Sequence, residues 1–230
     1  PIYDPNWVPQ PPFSRPTPGG SDFGFEGVPG TGWTPPDPEM AVGSQHIMVM
    51  TNGQIACFTK AGLNLWRDEI ENSFGFWGGQ GATGFVFDPE VKWDPHAARF
   101  VAMACERGSN VRSYFLLAVS MDDTPTLATE WWKYRLDVNS LGGSDIDSPN
   151  LAIGPESILL TADFFTPVDK YLIYVVQKAS VLNGGAPVTV SELISGVGQQ
   201  SMGIPVVYDV NNTLYILQST EFGTNTSVIF

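Results

Sequence analysis

The stretch DPEVKWDPHAARFVAMA at residues 88–104 decides the fold, because it places two short apolar runs on either side of a polar turn. Two further runs follow it, at Ser113–Ser120 and Trp131–Val138, with turn-forming residues between them. Each run has the length of a β-strand and lacks the spacing of an amphipathic helix. We therefore predict a unit of four antiparallel strands, in which Glu90–Trp93 comes first and Arg99–Cys105 second.

The same order of residue types recurs along the chain. Each copy has a proline, a short apolar strand, a polar turn and a second apolar strand, and the copies start near Asp37, Asp88, Asp147 and Gly203. Four-stranded units at a period near 50 residues are typical of β-propeller blades, whereas a β-sandwich explains the short strands but not the period. We predict an all-β propeller fold with about three and a half blades present, incomplete at the C-terminus and part of a larger propeller.

The chain divides into two predicted parts. Residues 1–36 contain ten prolines and read as a proline-rich arm or linker, while residues 37–230 hold the blades. Asn52-Gly53 between two β-rich runs predicts a tight hairpin. The best candidate for a helix is the stretch 64–74, and the stretches 180–185 and 190–197 are weaker candidates.

Composition excludes several classes of partner. The chain carries 24 acidic and 11 basic residues, a net charge of −13, which argues against nucleic acid as a partner. No apolar run approaches the roughly 20 residues of a membrane-spanning helix, so membrane insertion is not expected. The two cysteines, Cys57 and Cys105, lie in apolar runs and are expected to be buried free thiols rather than a disulfide. The acidity and aromatic content are compatible with a secreted or cell-surface protein.

Several short stretches carry a resemblance to a known family, namely Pro36–His46, Asp88–Asp94, Arg99-Phe100, Leu116–Ser120, Trp131–Tyr134 and Pro149–Gly154. They resemble the entry, turn and strand motifs of large secreted bacterial proteins with β-propeller-like repeats, over about residues 33–220. Ser44 stands where that family often has proline, and Glu90 where it often has arginine. The resemblance implies an extracellular module beside adhesion or carbohydrate-linked modules, and it implies no single activity.

Asp37, Asp88 and Asp147 occupy similar places, at or just before the entry of each first strand. In a propeller these entries converge on one mouth of the central channel, so the three carboxylates should concentrate negative charge there. A hard cation with oxygen ligands, Ca²⁺ above all, is the metal this arrangement predicts. An aspartate before a proline also forms turns by capping backbone N–H groups, and that alternative stays open.

The same three aspartates support a catalytic alternative. Glycosidases built on propellers place an acid and a base or nucleophile around a central pocket, and Trp33, Trp77 and Trp93 would then stack on sugar rings. Aromatic residues at this density also pack between blades. The sequence contains no motif of nucleophilic hydrolases, metalloproteases or nucleotide-binding enzymes.

Three hypotheses of function remain. The first is an extracellular or cell-surface module for binding or assembly, with a glycan or a protein as partner and Ca²⁺ near the channel mouth. The second is a glycan-active enzyme, a glycoside hydrolase or lyase, that uses the central carboxylates. The third is a structural subunit of a surface layer or filament, in which the chain assembles with itself or with blades on another segment.

Overall fold

The fold is that of a computed structural model of the chain. This structure describes residues 2–3, 24–108, 112–166, 170–195, 199–203, 216–220 and 226–229.

Three antiparallel sheets of four strands follow one another along the chain, each with its strands in sequential order. The first sheet contains β3 (Glu39–Val42), β4 (His46–Thr51), β5 (Gln54–Thr59) and β6 (Asn64–Glu69). The second contains β7 (Phe85–Asp94), β8 (Arg99–Arg107), β9 (Ser113–Ser120) and β10 (Trp131–Asp137). The third contains β11 (Ser144–Ile153), β12 (Ser157–Thr166), β13 (Lys170–Gln177) and β14 (Thr189–Ser195).

Two smaller sheets flank this row. Near the start of the chain, β1 (Ile2–Tyr3) pairs with β2 (Trp33–Thr34). Beyond the third sheet, a three-stranded antiparallel sheet contains β15 (Gln199–Gly203), β16 (Ile216–Thr220) and β17 (Thr226–Ile229). Short helical segments lie in the connections, at Gly78–Gln80 (a 3-10 turn), α1 (Asn139–Gly142) and α2 (Lys178–Val181).

The sheets stack face to face, and the core lies between them. Apolar side chains of the first and second sheets form one buried cluster, and those of the second and third sheets form another. Such stacking buries both faces of the second sheet, which explains why β9 is buried along its whole length. The first strands of the three sheets are neighbours, because β3 contacts β7 and β7 contacts β11.

The all-β prediction is confirmed, and so is the four-stranded antiparallel unit predicted from residues 88–138. The hairpin at Asn52-Gly53 is confirmed, since β4 and β5 pair up to Thr51 and Gln54. Most of the fourth predicted repeat, which starts near Gly203, lies outside the described residues. The division of the chain at residue 37 stays a prediction.

The predicted helices are largely wrong. The stretch 64–74 begins as strand β6, whose Trp66 pairs with Cys57 and donates its indole N–H to the carbonyl of Pro125 at 2.9 Å. The stretch 190–197 lies mostly in strand β14, and only the start of the stretch 180–185 is helical, as the end of α2. Pairing with β5 satisfies the backbone groups along one side of β6, and together with the burial of Trp66 this outweighs a weak local helix preference.

Both cysteines are free and buried, as the sequence predicts. Burial raises the pKa of the Cys57 thiol to about 12, and burial also raises the pKa of Cys105 well above its ordinary value. In the part of the chain that the structure describes, none of the helices combines the length and apolar character needed to cross a membrane.

Candidate functional site: an acidic pocket between the first strands

A pocket of about 600 Å³ lies where the first strands of the three large sheets meet. We call it the acidic pocket, because its wall contains Asp37, Asp88, Asp147, Glu39 and Glu90, with prolines between them. The structure therefore brings together all three aspartates that the repeat pattern singled out. It adds two glutamates that the pattern did not single out.

The backbone around the acidic pocket is unusual in each repeat. Asp37, Asp88 and Ser148 directly precede a proline, and their φ angles are +43°, +49° and +48°. The register of the second sheet shifts between Phe87 and Glu90, and that of the third shifts between Asp147 and Asn150. Such bulges turn side chains away from the regular alternation of a strand, and they occur often beside functional sites.

Two details of the sequence prediction need correction. Asp88 and Asp147 lie inside strands β7 and β11, at the bulges, and not at or before the first residue of the strand. The residue of the third repeat that matches Asp37 and Asp88 in backbone geometry is Ser148, and Asp147 is one position earlier. The bulge nevertheless leaves the Asp147 carboxylate on the pocket wall.

Asn52 holds the first two repeats together behind the pocket. Its side chain is fully buried, and its Nδ2 donates to Asp37 Oδ2 at 2.7 Å and to the carbonyl of Pro35 at 3.0 Å. Its Oδ1 accepts the backbone N–H of Asp88 at 2.8 Å. One amide thus fixes the side chain of Asp37 and the backbone that carries Asp88.

Two carboxyl groups of the pocket have raised pKa values. Burial, followed by the neighbouring charges of Asp147 and Asp37, raises the pKa of Asp88 to about 7. Burial also raises the pKa of Glu90 to about 7, against the opposing effects of Lys92 and the N–H of Leu151. The pocket therefore holds protons at pH values where exposed carboxyl groups have lost them.

Basic side chains form ion pairs with carboxyl groups at two sides of the acidic pocket. Lys92 Nζ lies 3.1 Å from Glu39 Oε2 and 3.4 Å from Glu90 Oε2, and Glu90 accepts the N–H of Leu151 at 3.1 Å. These contacts link the first strands of all three sheets. On the other side, Arg107 lies 3.3 Å from Asp147 and 3.1 Å from Asp145. Asp37 and Asp88 have no basic partner among the ion pairs of the described residues.

We expect Asp88→Asn to flatten the pH dependence of stability. Folded Asp88 keeps its proton up to about pH 7, whereas the ordinary value is 3.8, so its stabilising contribution is full below pH 3.8 and is lost as the pH rises to about 7. The amide removes this loss, and asparagine tolerates the positive φ. Urea unfolding with chelator at about pH 5 and about pH 8 measures the effect. A free energy of unfolding that falls between the two pH values as steeply in Asp88→Asn as in the wild-type chain would contradict this expectation.

The predicted stacking tryptophans lie in different surroundings. Trp77 has no exposed surface and donates its indole N–H to the carbonyl of Leu117 at 3.3 Å, so no sugar can reach its ring in this structure. Trp93 packs edge-on against Phe100, with 4.9 Å between ring centroids. Trp33 is half-buried and packs against Phe85 at 5.2 Å. None of the three lines the acidic pocket.

Sequence reasoning missed several residues of the site. Glu39 and Glu90 carry a usable signal, because both end an Asp-Pro-Glu triplet in successive repeats. Asn52, Lys92 and Arg107 carry none, because their role depends on contacts with distant parts of the chain. As the side chains stand, no group of three or more His, Cys, Asp or Glu residues within the described ranges is spaced to hold a metal ion.

Comparison of the chain with protein-family models, with curated proteins and with solved structures finds no match in any of the three. Proposals about its function therefore rest on the sequence pattern and on the acidic pocket.

Proposed function

We propose that this chain is an extracellular or cell-surface β-propeller module for binding or assembly, and that it binds Ca²⁺ in the acidic pocket. The observation that carries the proposal is the meeting of Asp37, Asp88 and Asp147 at one point between three consecutive sheets. The stacked four-stranded sheets, with their first strands side by side, support the propeller arrangement. The partner that such a face would recognise is a glycan or a protein.

The chemistry of the pocket favours a hard cation. Asp88 has no basic partner among the ion pairs of the described residues, and the charged neighbours that raise its pKa are the carboxyl groups of Asp147 and Asp37. Ca²⁺ prefers carboxylate oxygens and accepts irregular coordination, so small rotations of these side chains would let it take the place of the proton on Asp88. Binding would also remove the electrostatic cost of ionising the pocket above about pH 7.

We expect saturating Ca²⁺ to raise the melting temperature of the wild-type chain by about 5 °C or more at about pH 8, because a ligand at 100 times its Kd stabilises by about 2.7 kcal/mol. Asp88→Asn should abolish most of this shift. Asp123→Asn, which removes a charge from a surface loop outside the pocket, should leave it intact. Equal melting temperatures with Ca²⁺ and with chelator would overturn the calcium proposal.

The alternative is a glycan-active enzyme, and one observation favours it. Asp88 retains a proton near neutral pH beside two other carboxyl groups, as a general acid must. However, none of the predicted sugar-stacking residues Trp33, Trp77 and Trp93 lines the acidic pocket, and this supports the binding module better.

Incubation with a panel of polysaccharides, followed by an assay for released reducing ends, tests the enzyme alternative. Release that is lost when Asp37, Asp88 and Asp147 are all replaced by Asn would favour the enzyme over the binding module. Release that survives this triple replacement would exclude these residues as the acid and base.

A further inference from the structure

We propose that Lys178 and Asp94 form an isopeptide bond, an amide between the lysine Nζ and the aspartate side chain that is made with the release of one water. The bond ties the third sheet to the second, because Lys178 begins α2 between β13 and β14 whereas Asp94 ends β7. It depends neither on calcium nor on the propeller arrangement proposed above.

The two reacting groups are in contact and are shielded from water. Lys178 Nζ lies 2.6 Å from Asp94 Oδ2, and the two side chains are 3% and 0% exposed. The carboxyl carbon Cγ is bonded to Oδ2, so it lies directly behind this contact and within reach of the amine nitrogen. No other ion pair of the described residues has both of its side chains so deeply buried.

The surroundings of Lys178 favour a neutral amine, which is the form that can react. Val176 and Val181, on either side of it in the chain, are fully buried in the core between the second and third sheets. A lysine ammonium has three N–H donors, but Nζ meets one acceptor among the described residues, Asp94 Oδ2. Burial lowers the pKa of Lys178, although the contact with Asp94 opposes this effect. Loss of the charge is therefore easier here than in water.

The carboxyl group of Asp94 is held in position for attack. Its Oδ1 accepts the backbone N–H of His96 at 2.9 Å and that of Ala97 at 3.2 Å, in the turn between β7 and β8. An aspartate often stabilises a turn in this way. Here the two N–H groups also point at the oxygen that becomes negative when an amine adds to Cγ, as the donors of an oxyanion hole do.

The reaction balances within the pair. The Lys178 ammonium first passes one proton to Asp94 Oδ2, so that a neutral amine faces a neutral carboxyl group. The amine lone pair then forms the Nζ–Cγ bond and places negative charge on Oδ1. As the Cγ–Oδ2 bond breaks, Oδ2 takes a second proton from the nitrogen and leaves as water. The last hydrogen stays on the amide nitrogen, and no further reactant is needed.

The product suits its position better than the ion pair does. One neutral amide replaces two buried charges, which removes the cost of keeping them out of water. The bond also closes a covalent loop between two sheets, and such a loop stabilises a fold as a disulfide does.

Mass spectrometry of the full, denatured chain tests the proposal. We expect a mass about 18 Da below that of the sequence, which is the mass of one water. After digestion with trypsin we expect residues 93–99 joined to residues 171–230, because trypsin does not cleave after an acylated Lys178. Recovery of residues 93–99 and 171–178 as separate peptides would overturn the proposal, whatever the mass of the intact chain.

Two controls assign the bond to this pair. Lys178→Arg keeps a positive charge beside Asp94 but has no amine to acylate, so its mass should equal that of its own sequence, and circular dichroism shows whether it stays folded. Lys92 Nζ contacts Glu39 at 3.1 Å, but these side chains are 19% and 34% exposed, so trypsin should cleave fully after Lys92. Loss of one water in Lys178→Arg, as in the wild-type chain, would overturn the assignment.

Discussion

Replacing Lys178 with methionine is expected to lower the free energy of unfolding by about 3–5 kcal/mol. Lys178 Nζ lies 2.6 Å from Asp94 Oδ2, and the two side chains are 3% and 0% exposed. Lys178 begins α2, which lies between β13 and β14 of the third sheet, whereas Asp94 ends β7 in the second sheet. The variant leaves the Asp94 carboxylate buried without its cation, which is costly in a medium of low dielectric constant. Urea unfolding measures the loss.

Two further variants make this result interpretable. Arg112→Met breaks the pair between Arg112 and Asp137, whose side chains are 43% and 41% exposed, and it should cost far less than Lys178→Met because solvent screens an exposed pair. Adding Asp94→Asn to Lys178→Met should recover part of the loss, because the amide carries no charge and still accepts the N–H groups of His96 and Ala97. If Lys178→Met and Arg112→Met lowered the free energy of unfolding by similar small amounts, the stabilising role given to the buried pair would be wrong.

Replacing Asn52 with aspartate is expected to cost about 3 kcal/mol or more, although the two side chains have nearly the same shape. The change removes the donor to Asp37 Oδ2 and to the carbonyl of Pro35, while it keeps the acceptor for the N–H of Asp88. Two partly buried acceptors lose their donor, and a side chain with no exposed surface becomes a carboxylate. A new carboxylate also faces Asp37.

The matched control for this variant is Asn64→Asp. Asn64 is exposed at the start of β6, where its Nδ2 donates to the carbonyls of Cys57 and Trp66. Thermal unfolding should show a clearly smaller loss for this control. Because Asn52 also positions the acidic pocket, Asn52→Asp should weaken the calcium-dependent shift in melting temperature, and Asn64→Asp should not. Equal effects of the two changes on stability and on calcium response would contradict the role given to Asn52.

The sequence predicts the sheets well because their signal is local. Alternating and continuous apolar runs, with turn residues between them, specify strands such as β8 and β9 without reference to the rest of the chain. Strand β6 is the exception, since the stretch 64–74 mixes residues that also favour a helix. Its strand conformation depends on pairing with β5, which joins Trp66 to Cys57.

The acidic pocket was predictable only in part. Repetition placed Asp37, Asp88 and Asp147 at similar positions, and stacked repeats bring such positions together. The bulges at Asp88 and Asp147 depend on how two strands pair, so the predicted strand entries were misplaced. Trp77 shows the same limit, since nothing in its local sequence distinguishes a buried indole from one that stacks on a sugar.

Isothermal titration with Ca²⁺ tests the acidic pocket most directly, with the wild-type chain and Asp88→Asn at about pH 8 and about pH 5. We predict one Ca²⁺ per chain at the higher pH. Binding should weaken markedly at the lower pH, because Asp88, with its pKa near 7, then keeps its proton. The Asp88→Asn variant should bind at least tenfold more weakly, about 1.4 kcal/mol. No binding by the wild-type chain, or equal binding by the variant, would contradict the proposed site.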